Sequence, residues 1–416
     1  MPEDQVFVIV GAGLAGAKAA ETLRAEGFDG RIVLIGAETE RPYERPPLSK
    51  GFLLGKDPKE KAYVHEAGWY DEHRVELLLG TRAVRLDPVA HRLILDNGDD
   101  VSYTKLLIAT GAEPRPLAVA GADLAGVHYL RRFPDSERLK EVLRDGANVL
   151  IVGAGWIGLE VAAAARAAGA TVTVVELDEL PLRRVLGDEV AAVFADLHRA
   201  HGVDLRMQTG VHELKGVDKV ESALLSDGHE LPVDAVIVGI GIAPADDLAA
   251  LAGIKLENGI LVDEQLRTSA PDVYAAGDVA NAENTLLGQR IRVEHWANAL
   301  NAGPLAARSM LGQDVVYDRV PYFFTDQYDL GMEYSGYVPN TADGPGYDRV
   351  VFRGDVPGRE FVVFWLKDGR VLAGMNVNVW DVTEPIQELV RAGCAGQTVD
   401  PDRLADPDVP LGDLLS

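Results

Sequence analysis

The sequence predicts an α/β fold built from two Rossmann-like units, one inserted into the other, followed by a C-terminal α+β domain. Three observations predict it. A strand, a glycine turn, a helix and a second strand occur in that order over VFVIVGAGLAGAKAAETLRAEGFDGRIVLIG, beginning at Val6, and again over NVLIVGAGWIGLEVAAAARAAGATVTVVE, from Asn148 to Glu176. The apolar run LLIATG, which ends at Gly111, and a later VYAAGDVA at 273–280 flank the second glycine unit, which closes with VDAVIVGIGIAPADD. From about Tyr317 the pattern changes to short alternating strands punctuated by glycine and proline, ending in a helix over EPIQELVRAG.

Each glycine turn specifies a dinucleotide cradle. The first glycine permits the tight turn, the second lets the backbone approach a pyrophosphate, and the third lets the helix pack closely on the strand. Gly11, Gly13 and Gly16, with Ala15 between the last two, supply the first set. The strand that follows ends beside Ala37 and Glu38, whose carboxylate is placed for an adenosine ribose. Gly153, Gly155 and Gly158 supply the second set, with Trp156 and Ile157 inside it, and Glu176 closes the next strand in the ribose position. A carboxylate there accepts both ribose hydroxyls and repels a 2′-phosphate, which favours NADH over NADPH. Arg183 and Arg184 weigh the other way, because a nearby guanidinium accommodates that phosphate. Two cradles imply two dinucleotides, one a bound flavin and the other a nicotinamide. Asp278, after a glycine at a strand end, is the acid that reaches a ribityl hydroxyl. The expected partition is a discontinuous FAD-binding domain over 1–113 and 242–316, an NAD-binding domain over 114–241, and a C-terminal domain over 317–416.

Composition removes several alternatives. A formal charge of −25 over 416 residues disfavours nucleic acid and anionic membrane as general partners. The one cysteine, Cys394, allows no internal disulfide and no iron–sulfur cluster, and its distance from the first glycine turn excludes glutathione-reductase-type thiol chemistry. No basic leader precedes VFVIV and no apolar run reaches spanning length, so a cytoplasmic protein with no metal is expected, as monomer or homodimer.

The segment ERPYERPPLSKGFLLGK, from Glu40 to Lys56, carries three prolines that predict an extended loop holding Arg45 and Lys50. On the residues alone, Lys50 reads as a solvated loop lysine and Glu160 as an acid favoured by the helix macrodipole. RPPLSK placed after a flavin-type glycine turn, with ATG and VYAAGDVA downstream, resembles the FAD-dependent ferredoxin reductases of oxygenase and cytochrome P450 systems. These are the putidaredoxin reductase-like flavoproteins related to apoptosis-inducing factor.

The resemblance implies a glutathione-reductase-like architecture over nearly the whole chain. It puts Lys50 at the flavin ring, paired with Glu160, and gives Ala83 a backbone contact to adenine. Ala109, Thr110 and Gly111 become the exit from the FAD domain. HYLRR places Arg131 near the flavin's diphosphate or adenine end, with Arg132 departing from the family's threonine. Trp156 either packs in the turn or gates the nicotinamide, and Gly241 lies close to NADH. Glu294, His295 and Trp296 match the segment that contacts the isoalloxazine through its backbone. A helix starting near His295 aims its positive end at that ring. His295 itself is more readily a helix-start residue than a base. Phe324, in PYFFTDQYD, replaces a frequent tryptophan, and the tail after Asp400 reads as a surface extension.

The implied activity is NADH-dependent reduction of FAD, which passes electrons to a ferredoxin or rubredoxin, with Arg45, Arg290 and Arg292 either docking that partner or simply solvated. Two other readings remain: an apoptosis-inducing-factor-like NADH oxidoreductase with a quinone or small acceptor, and a redox sensor that is not an enzyme.

Overall fold

The structure, a computed structural model, describes residues 5–341 and 344–415. It divides into two compact units, the first comprising 1–44, 59–113 and 243–321, the second 45–58, 114–242 and 322–416.

In the first unit a five-stranded sheet takes the order Val273–Ala275, Lys105–Ile108, Val6–Val10, Arg31–Ile35, Val75–Leu78, all parallel. The central strand is β-branched because it is covered on both faces, and Val8 and Ile9 are fully buried. The helix Leu14–Ala25 follows the turn and buries its alanines at 15, 17, 19 and 20. Small residues there let the helix Trp296–Met310 approach to backbone contact, since a Cβ on Gly303 would lie 2.2 Å from the Ala15 carbonyl oxygen. Ala83–Asp87 and Arg92–Leu95 form a hairpin around Asp87-Pro88, whose turn is fixed by Asp87 accepting from the amides of Val89 and Ala90.

The second unit repeats the parallel design in the order Asp204–Arg206, Thr171–Val175, Asn148–Val152, Ala235–Val238, Val127–His128. The C-terminal strands Tyr322–Gln327, Leu330–Gly336, Arg349–Asp355, Glu360–Lys367 and Arg370–Val377 form an antiparallel sheet covered by the helix Thr383–Cys394. Both sheets share one apolar core, running from Ile151 and Leu159 through Phe194 to Phe323 and Trp365. The Trp365 indole, fully buried, donates to the Leu186 carbonyl at 3.0 Å. The helix Arg183–Ala200 breaks at Gly187, whose φ of 75° and contact with the Tyr347 hydroxyl admit no side chain.

Two local expectations are corrected. Pro46 and Pro47 do not hold an extended loop; they start a 3₁₀ turn, Pro46–Ser49, because proline's fixed φ suits the first positions of a helical turn. The segment 45–58 is also anchored, with Leu53 in the shared core and the Ser136 hydroxyl donating to the Leu48 carbonyl at 2.8 Å. The tail after Asp400 is no extension: it forms the helix Pro401–Ala405, buries Leu404 and Leu414, and receives Arg353 on the carbonyls of Pro407 and Val409. Among the described residues no helix is long and apolar enough to cross a membrane.

Burial has a pH consequence. His198 is fully buried and its imidazole is pushed down from 6.5 to about 4 by loss of solvent. Between those values the unfolded chain binds the proton and the folded chain does not, so stability is fully present above about pH 6.5 and is lost as pH falls toward 4. The urea midpoint should therefore drop from pH 7 to pH 5. A midpoint that is flat or rises over that interval would contradict the assignment.

Candidate functional site

The two glycine turns are built alike, and their geometry separates glycines required by the fold from glycines left open. Gly11 (φ 120°) and Gly153 (φ 102°) adopt a conformation that side chains avoid, and a Cβ there would meet the carbonyls of Ala109 at 2.1 Å and Gly239 at 2.4 Å. A Cβ on Gly16 or Gly158 would strike the carbonyl of Gly11 at 2.0 Å or of Gly153 at 2.1 Å. Gly13 and Gly155 differ from these four. Their φ values of −92° and −79° suit any residue, and a Cβ on either meets nothing within 4 Å. Protein packing does not explain these two glycines; room for a ligand at the N-terminus of the helix Leu14–Ala25 or Trp156–Ala167 does.

In the first unit Glu38 lies past the end of Arg31–Ile35, beside exposed Ala37, and its carboxylate accepts the Tyr43 hydroxyl at 2.6 Å. Ala83 opens its hairpin strand. The Ala109 amide bonds the Val10 carbonyl at 2.7 Å, the Thr110 hydroxyl bonds the Ala245 carbonyl at 2.7 Å, and Gly111 turns with φ 74°. Asp278 sits in the 3₁₀ turn Gly277–Val279. His295 is the N-cap of the helix Trp296–Met310. Burial holds its imidazole at about 4, opposed by the Asp278 charge, so it is neutral at pH 7. Glu294 pairs with Arg292, whose guanidinium also donates to the Asp278 carbonyl at 3.2 Å. Glu44, which the sequence did not single out, is a partly buried acid of the same unit, and burial raises its carboxyl.

The three arginines named as docking or solvated residues all have partners within the protein. Arg292 is a 9% exposed side chain engaged by Glu294 and Asp278, and Arg290 donates to the Val262 carbonyl at 2.5 Å and to Glu283 at 3.1 Å. Arg45 donates to the Arg131 carbonyl within the second unit. Each guanidinium ties its own segment to another one.

In the second unit Glu176 is held by three backbone amides, Ala154 at 2.8 Å, Leu177 at 2.7 Å and Asp178 at 3.1 Å. Its carboxylate is thereby oriented at the glycine turn. Arg183 engages Asp188 at 2.5 Å and Glu179 at 3.3 Å, and Arg184 engages Asp178 at 2.7 Å, so both guanidinia are already matched by carboxylates. Trp156 packs against Phe194 and Phe323, Ile157 is exposed, and Gly241 (φ 98°) accepts the Arg115 amide through its carbonyl at 3.0 Å.

Lys50 and Glu160, 110 positions apart, form an ion pair of 2.6 Å. Glu160 is 4% exposed and takes three donors: Lys50 and the Thr325 hydroxyl (2.5 Å) on Oε1, and the Ser49 hydroxyl on Oε2. The ammonium also lies 5.4 Å from the Phe324 ring centroid. Ser49 and Thr325 escaped the sequence reading, although both stand inside quoted motifs, RPPLSK and PYFFTDQYD. Of the residues expected to hold FAD, Arg45, Lys50 and Arg131 lie in the second unit and the rest in the first. Among the described residues no cluster of histidine, cysteine, aspartate and glutamate is placed to hold a metal.

Two ligand-ready glycine cradles in one chain, each with an acid past its second strand, define a two-dinucleotide oxidoreductase. The chain belongs to the pyridine nucleotide-disulphide oxidoreductase family, which it matches over residues 6–303, and it carries the reductase C-terminal domain over 322–415. It is 40% identical over 412 residues to the ferredoxin--NAD(+) reductase component of the anthranilate 1,2-dioxygenase system of Burkholderia cepacia, covering 98% of this chain and 99% of that one. It is 36% identical to putidaredoxin reductase of Pseudomonas putida, covering 98% and 96%. The crystal structure of the covalent putidaredoxin reductase–putidaredoxin complex superposes with a TM-score of 0.93 at 35% identity, covering 99% of this chain and 98% of that chain. The resemblance read from RPPLSK, ATG and VYAAGDVA is confirmed. The disulphide in the family's description has no counterpart here, since the sole cysteine, Cys394, is exposed at the end of a C-terminal helix. FAD and NADH are the cofactors of this family, and the open cradles at Gly13 and Gly155 fit them.

Proposed function

We propose that this protein is an NADH-dependent flavoprotein reductase that delivers electrons through FAD to a ferredoxin-type iron–sulfur protein serving an oxygenase or a P450. The observation that carries the reading is the pair of open cradles, one for each dinucleotide, in a chain whose full-length relatives are named as ferredoxin reductases. FAD supplies the chemistry that accepts an electron pair from the nicotinamide and releases electrons singly.

The chain's residues bind, orient and tune charge. Gly11, Gly13, Ala15, Gly16, Glu38, Ala83, the 109–111 turn and Asp278 hold FAD, with the segment 294–296 giving the start of a helix. Gly153, Gly155, Gly158, Glu176 and Gly241 hold NADH. Lys50 and Glu160 keep a fixed charge pair for the transfer, and orientation supplies most of the rate. The partition into 1–113 with 242–316, 114–241 and 317–416 describes these roles. A cytoplasmic monomer or homodimer, with rubredoxin as an acceptable second acceptor, completes the proposal.

Cytochrome c reduction by NADH tests it. Turnover should depend on added ferredoxin; equal rates without it, or faster rates with a quinone, would refute the assignment of the acceptor. A flavin that NADH reduces and that no acceptor reoxidises would point to a sensor instead.

Glu176→Ala tests the coenzyme reading. Loss of the oriented carboxylate should raise the NADH Michaelis constant about ten- to a hundredfold, as for a hydrogen bond to a charged group worth about 1.5–3 kcal/mol, and narrow the gap to NADPH. An unchanged NADH-to-NADPH ratio would remove Glu176 from the ribose.

A further inference from the structure

The strand Tyr322–Gln327 turns an unusual face inward. Alternation buries Phe323, Thr325 and Gln327, and the last two are polar side chains each 1% exposed. Polar groups so deep must be satisfied or they destabilise the fold. They are satisfied in series. The Thr325 hydroxyl donates to Glu160 Oε1 at 2.5 Å, the Gln327 amide Nε2 donates to Thr325 Oγ1 at 3.3 Å, and Gln327 Oε1 faces His198 Nε2 at 2.8 Å. Tyr328 OH faces His198 Nδ1 at 3.3 Å, and the Tyr328 ring is stacked on His201 at 3.7 Å.

The chemistry fixes the direction of every link. An amide oxygen only accepts, so His198 carries its proton on Nε2. Nδ1 is then an acceptor, and Tyr328 donates to it. Burial agrees with both roles: it keeps the His198 imidazole neutral at pH 7 and pushes the Tyr328 phenol up, so that it stays protonated. Four bonds therefore run one way, from Tyr328 through His198, Gln327 and Thr325 to the Glu160 carboxylate, and a carboxylate at the end of such a chain polarises each donor before it.

We propose that Thr325, Gln327 and His198 are positioning residues for Glu160, an oriented hydrogen-bond relay that fixes the carboxylate's rotamer and its hold on Lys50. The inference rests on the reading that the Lys50–Glu160 pair governs reduction of FAD by NADH. No residue of the relay beyond Glu160 touches a nucleotide in this account.

The test uses the FAD-loaded protein with ¹⁵N-labelled histidine, as wild type and as Thr325→Val, Thr325→Ser and Glu160→Gln. The His198 ring nitrogens should report the Nε2–H tautomer. Their resonances should move in Thr325→Val and in Glu160→Gln, although neither residue touches His198, and should stay in place in Thr325→Ser. In single-turnover reduction by NADH, Thr325→Val should be slower by about tenfold and Thr325→Ser close to wild type, as expected for coupling within one network. Gln327→Met, which breaks the chain one link further out, serves if Thr325→Val does not fold. Unmoved His198 resonances would overturn the relay. Slow reduction in Glu160→Gln with normal reduction in Thr325→Val would overturn the positioning role and leave the ion pair's role standing. Normal reduction in both would instead reject the reading of the pair on which the inference rests.

Discussion

Gly155→Val should give a folded, yellow protein that NADH no longer reduces, whereas Gly13→Val should give a folded protein without colour. Both glycines have ordinary negative φ, and a Cβ at either position contacts nothing, so the fold tolerates the substitution. The cost to stability is that of a poor N-cap, about 1 kcal/mol. For the ligand the change is severe, because the side chain occupies the space a pyrophosphate needs. Overpacking alone costs about 1–3 kcal/mol, and the lost approach to the helix amides adds to it, so affinity should fall at least about a hundredfold. The same substitution at Gly153 cannot make this distinction, since its φ of 102° and the Gly239 carbonyl at 2.4 Å would damage the fold first. Flavin content, melting temperature and stopped-flow reduction separate the outcomes. Normal NADH reduction in Gly155→Val would remove the second cradle from the account.

Lys50→Met carries the second large effect, and here stability and rate should part company. The substitution leaves a 4% exposed carboxylate with two hydroxyl donors and no counter-charge. Breaking a buried pair from one side costs about 3–5 kcal/mol, because the remaining charge stays desolvated. The double variant Lys50→Met/Glu160→Leu removes that charge and should recover most of the stability. It should not recover the rate. Flavin reduction by NADH should be slower in both variants, by about a hundredfold if the ammonium holds the reacting groups in register. Recovery of rate along with stability would make the pair a structural strut.

The legible part of this protein was its local part. Val6–Val10 and Asn148–Val152 are β-branched runs that enter glycine turns, and each turn states its own geometry within six residues. The C-terminal strands announced themselves by their period, and the helix Thr383–Cys394 by its apolar face. Asp278 and Glu176 stood at strand ends, where position alone suggests a ribose or ribityl partner.

What stayed hidden depends on contacts between distant residues. Ser49 and Thr325 meet Glu160 across 111 and 165 positions, and His198 meets Gln327 across 129, so no window of sequence contains either arrangement. Arg292 read as a docking or a solvated arginine because its charge is visible in sequence and its burial is not. The tail after Asp400 read as an extension because its few apolar residues, Leu404, Leu411 and Leu414, are too sparse for a periodic signal, yet each finds the domain surface. Pro46 and Pro47 misled in a different way: the same fixed φ that forbids a helix interior begins a helical turn.

The most direct test of the central claim is an anaerobic titration of the purified protein with NADH, followed by one equivalent series of oxidised [2Fe–2S] ferredoxin. Two linked cradles predict a yellow protein that bleaches with about one NADH per flavin, as two-electron transfer requires, and whose colour returns as the ferredoxin is reduced. A protein that purifies without flavin, or a flavin that NADH leaves oxidised, would contradict the account.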